Sequence, residues 1–124
     1  MTGIMMALLG SSGLFFVTGG STSVTGSATR VGAGGGTVTT SSATVGTITG
    51  GTSPYSFLWQ YVSGDTFSVT SSTSGSTTFF TNITITAGGE ATKTGIYRCQ
   101  VTDGVGRVIY GPNCTVSATL SDSA

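Results

Sequence analysis

The stretch YSFLWQYV, residues 55–62, puts Phe57, Trp59 and Tyr61 on one parity and Leu58, Gln60 and Val62 on the other. A period of two separates such sets onto opposite faces of a β-strand. GIYRCQVT, residues 95–102, repeats the pattern, with Tyr97, Cys99 and Val101 against Ile96, Arg98 and Gln100. Working outward, short runs rich in Val, Ile, Phe and Thr fall at 37–40, 43–49, 67–69, 77–86 and 107–120. Turn residues cut them apart at Gly50-Gly51, Ser63-Gly64-Asp65, 71–76, 87–90 and Asp103-Gly104. No helix-period segment appears after Thr37. The expected fold is therefore all-β, an antiparallel sandwich of about seven strands. Pro112 has no N–H to give a ladder, so the last strand should break at Gly111-Pro112.

Composition narrows the function. The chain has 124 residues, four Lys or Arg, four Asp or Glu, no His and no net charge. Gly, Ser and Thr fill 64 positions, so the surface must be built from hydroxyls and backbone. Nucleic-acid binding is not expected, because without a basic excess the chain has no electrostatic footprint for phosphates. Disorder is not expected beyond the linker, since Thr, Val and Ile are β-branched and favour extended chain.

The first 29 residues carry no charge. Ile4, Met5, Met6, Leu8 and Leu9, then Leu14, Phe15, Phe16 and Val17, form an apolar arm interrupted by residues 10–13. It falls short of the roughly 20 apolar residues of a membrane span and lacks the basic flank of a signal peptide. Exposed apolar side chains of this kind need a partner, so the arm reads as a docking element. The expected organisation is an arm over 1–18, a flexible Gly/Ser/Thr linker over 19–36, a sandwich over 37–120 and a tail over 121–124.

A lone Trp59 in the third strand, followed about forty residues later by Gly95-Ile96-Tyr97-Arg98-Cys99, resembles the immunoglobulin-like sandwich. The resemblance implies that Tyr97 is the corner tyrosine and that Cys99 lies in the core beside Trp59. Residues 43–49 read ATVGTIT and hold no Cys, so the inter-sheet disulfide of antibody domains cannot form. The segment GGTSPYSFLWQYVSGD is similar to Ig-like and polycystic-kidney-type modules attached to tailed-phage virion proteins. The likeness spans residues 37–120.

Chemistry is sparse. Cys99 and Cys114 match no metal spacing and are expected as free thiols, with pairing between copies as the minority alternative. Asp65, Glu90, Asp103 and Asp122 fall in turns or at the end of the chain, and no Ser or Cys nucleophile has a His partner. No catalytic residue, metal site or cofactor is expected. Tyr55, Tyr61, Tyr110 and Phe80 are the aromatics that could meet a sugar or receptor. The resemblance implies a non-enzymatic virion structural protein, a capsid decoration or tail component in many copies. Its arm would dock on other virion proteins and its module would face outward, adhering weakly to a host surface glycan. The alternative is an exported, extracellular adhesin or carbohydrate-binding module.

Overall fold

The computed structural model describes residues 14–123, which form twelve strands and no helix. In chain order these are β1 (Phe15–Thr18), β2 (Ser23–Arg30), β3 (Gly34–Thr39), β4 (Ala43–Thr44), β5 (Thr47–Gly50) and β6 (Ser56–Gly64). There follow β7 (Ser68–Val69), β8 (Ser76–Thr77), β9 (Phe79–Ile85), β10 (Glu90–Thr102), β11 (Val108–Tyr110) and β12 (Cys114–Asp122).

The long strand β10 organises the larger sheet. On one side it pairs antiparallel with β6, from Thr102↔Ser56 to Gly95↔Gly64. On the other it pairs with β11 and then with β12, from Tyr97↔Cys114 to Glu90↔Ser121. The break between β11 and β12 spans residues 111–113, where Pro112 removes a donor. β2 adds to β12 in parallel, from Ser23↔Thr115 to Arg30↔Asp122. A smaller antiparallel sheet has the order β3-β9-β7, and β1 with β5 and β4 with β8 form two short ladders.

The two sheets face each other across one apolar cluster. Trp59, Tyr97, Cys99, Val101, Val116, Ala118, Leu120 and Val24 come from the larger sheet, and Val38, Phe79, Ile83 and Ile85 from the smaller. Phe79 makes the central contact, edge-on to Trp59 at 5.8 Å between ring centroids and tilted against Tyr97 at 4.9 Å. Burying an apolar side chain of this size contributes about 1.5–3 kcal/mol, so the facing rings alone strongly favour this layering. The alternation read in 95–102 holds: Tyr97, Cys99 and Val101 are buried while Ile96, Arg98 and Gln100 are only partly covered.

Several expectations are corrected. Residues 19–36 are not a linker, because β2 and the start of β3 lie within them and Val24 is in the core. Their apolar signal is thin for a physical reason: Gly26 sits where a Cβ would come within 2.2 Å of the Thr39 carbonyl oxygen, so no larger residue fits. The sandwich-like fold therefore does not begin at residue 37. Leu14, Phe15, Phe16 and Val17 were expected in the docking arm, yet residues 15–18 form β1, paired with β5. Phe15 and Val17 pack on the core while Phe16 turns outward. Ser121 and Asp122, expected in the tail, complete β12. Ile4, Met5, Met6, Leu8 and Leu9 lie outside the described residues.

Candidate functional site

Where β6 leaves β10 at Gly95, the first residues of β10 border an opening at that edge of the larger sheet. Lys93 pairs with the buried Ala118 and so shares the inward parity, but its side chain reaches across that opening to the smaller sheet. Its Nζ donates to the backbone carbonyl of Asn82 on β9 at 3.0 Å. The segment 65–68 crosses from one sheet to the other beside it. These strands border an open cleft of about 390 Å³ that takes in the outer face of the smaller sheet, where Thr37, Ser68, Phe80 and Asn82 hold the outward parity, with Thr66 and Lys93 also in the lining.

The cleft's groups are held in place. Thr37 Oγ1 donates to Asn82 Oδ1 at 3.1 Å, which leaves the amide nitrogen as the outward donor. Ser68 stands opposite Phe80 in the β7–β9 ladder, and the Phe80 ring is 36% exposed, unlike its neighbour Phe79 at 0%. Phe67 forms the floor, anchored by the Tyr97 hydroxyl, which accepts from its N–H at 2.6 Å and donates to its carbonyl at 3.0 Å. Among the described residues, no carboxylate lines the cleft. Asp65, next along the chain, turns its Oδ2 to the backbone N–H of Thr94 at 2.8 Å.

The other cations are committed elsewhere. Arg107 pairs with Asp103 at 2.9 Å. Arg98 lies 3.9 Å over the Tyr110 ring on the outer face of the larger sheet. Arg30 closes the turn after β2, donating to the carbonyls of Gly32 and Gly35. Lys93 is thus the ammonium that a small acceptor could approach.

The acids act as backbone anchors. Asp122 accepts from the N–H of Gly32 at 3.0 Å and of Gly88 at 2.7 Å, joining two turns. Asp103 is buried and accepts from the N–H groups of Thr52, Val105 and Arg107. Burial alone would raise its carboxyl, but the N–H groups of Arg107 and Thr52, the Arg107 guanidinium and the Val105 N–H together hold it below its ordinary value. Glu90 opens β10 and is exposed. Among the described residues, no three His, Cys, Asp or Glu side chains gather where a metal could sit.

Trp59 and Cys99, singled out in the sequence, stand directly opposite each other across β6 and β10, both buried. Tyr97, expected from the resemblance at a corner, instead ties down Phe67, thirty positions upstream, in the segment leaving β6. Cys99 and Cys114 are both free and buried. Burial pushes Cys99 up to about 11, offset in part by the Leu58 backbone, and raises Cys114 as well. Of the four aromatics, Phe80 alone lines the cleft. Tyr55 stacks on Phe15 and donates to the Gly50 carbonyl. Tyr61 donates to the Gly64 carbonyl, and Tyr110 lies under Arg98.

No spacing along the chain joins Lys93, Phe80 and Asn82, because the cleft exists only once β10 is set beside β9. No family model, curated protein or solved structure matches the chain.

Proposed function

We propose that this chain is a non-enzymatic structural protein of a bacteriophage virion, with an Ig-like module that is held at one end and presented at the other. The strand order supports the Ig-like part: β6, β10 and β12 in one sheet and β3, β9 and β7 in the other follow the C-F-G and B-E-D arrangement of that family. The observation that carries the functional part is polarity along β10. The first described strand, β1, lies by the end of β10 at Thr102, with Phe15 stacked on Tyr55 and 5.6 Å from the Arg107 guanidinium. Lys93 and its cleft lie nine residues back along that strand, about 30 Å away at the rise of a β-strand. The apolar residues Ile4, Met5, Met6, Leu8 and Leu9, which precede β1 in the sequence, suit docking on other virion proteins. The cleft toward the second end suits weak adhesion, which many copies in an assembly would multiply.

The test compares the full chain with a chain beginning at Leu14, which removes the apolar segment but keeps β1. Light scattering after size exclusion should find defined oligomers for the full chain and a folded monomer for the shortened one. Two monomers would overturn docking and favour an exported adhesion module.

A further inference from the structure

We propose that the cleft between Lys93 and Phe80 binds an acidic sugar residue, one carrying a carboxylate on a hydroxyl-rich ring. This deepens the adhesion half of the proposed function and takes its biological meaning from that reading, although the binding is a property of the chain alone.

Three features select the ligand. The Lys93 Nζ spends one donor on the Asn82 carbonyl, leaving two for an incoming oxygen, and no carboxylate in the lining competes for them. An anion is therefore favoured over a cation. The hydroxyls of Thr37, Thr66 and Ser68 and the outward Asn82 amide offer both donors and acceptors, which suits several ring hydroxyls rather than a bare ion. The partly exposed Phe80 ring offers an apolar face of the kind on which the C–H side of a pyranose stacks. Thr37, Phe80 and Asn82 sit on paired strands of the small sheet, so these groups are presented from a rigid platform.

Saturation-transfer NMR on the full chain, with N-acetylneuraminic acid and glucuronic acid as probes and glucose and galactose as neutral controls, tests this. Transfer to at least one acid should saturate, exceed that to the neutral sugars and weaken as salt is raised. Lys93→Gln should weaken binding of that acid by about tenfold, the loss of one charge-assisted contact. Phe80→Ala should reduce transfer to the ring protons. Both side chains are at the surface, and unchanged unfolding midpoints would show that the fold is intact. No transfer from either acid, equal transfer from neutral sugars, or transfer untouched by Lys93→Gln would each overturn the assignment. Oligomers by light scattering without sugar binding would remove the cleft's role and keep the docking reading, whereas sugar binding by a monomeric chain would do the reverse.

Discussion

The hydroxyl of Tyr97 satisfies both backbone polar groups of Phe67, accepting from its N–H and donating to its carbonyl. One side chain of the larger sheet thereby fixes the segment that crosses to the smaller one and forms the floor of the cleft. Tyr97→Phe keeps the ring contacts with Phe79 and Phe67 but strands two buried groups. The expected loss is about 1–3 kcal/mol in urea unfolding. A loss within error would mean that water takes over these bonds and the crossing segment is not held by Tyr97.

Phe79 is wholly buried between Trp59 and Tyr97. Phe79→Ala leaves a cavity at the contact between the sheets and should cost about 3–5 kcal/mol by denaturant unfolding, enough to threaten folding of a domain this size.

Two glycines of the second and third strands separate a packed role from a linker role. At Gly26 a Cβ would meet the Thr39 backbone within 2.2 Å, whereas at Gly35 its nearest neighbours stand at 3.6 Å and the backbone suits any residue. Gly26→Ala should unfold or strongly destabilise the chain. Gly35→Ala should be neutral or stabilising by up to about 1 kcal/mol. Equal tolerance in thermal melts would restore residues 19–36 to a linker.

Asp103 gives the fold an acid limit. Its folded pKa lies below the unfolded value, so its stabilisation is fully present above the unfolded pKa of about 4 and is lost as pH falls through the folded one. Urea unfolding measured from pH 7 down to pH 3 should show that loss in the parent chain. Asp103→Asn should be less stable at neutral pH, and its stability should fall less over the same interval.

The thiols of Cys99 and Cys114 should react slowly with a disulfide reagent at pH 8 in the native chain and both at once in denaturant, because burial holds them protonated and covered. Rapid native labelling would contradict the packing of β10 against β12.

The strands that were legible in the sequence are those whose inward residues are large. Trp59, Tyr97, Cys99 and Val101 announce β6 and β10 because each second position is bulky and apolar. β2 is hidden because its inward positions are Val24, Gly26 and Ala28, and at Gly26 the Thr39 backbone comes too close for any side chain. β1 misleads for the opposite reason: Phe15, Phe16 and Val17 look like an exposed adhesive run until β5 supplies their ladder. The cleft left no local trace, since Lys93 and Asn82 are neighbours only through the meeting of two sheets.

The parallel pairing of β2 with β12 also sets how the module would bear load. Tension that draws Ser23 and Asp122 in opposite directions along β10 would slide the two strands past each other along their length. The eight register pairs from Ser23↔Thr115 to Arg30↔Asp122 would then be strained together instead of peeling open one at a time. A chain pulled from Ser23 and Asp122 would in this geometry meet the force as shear along the whole ladder.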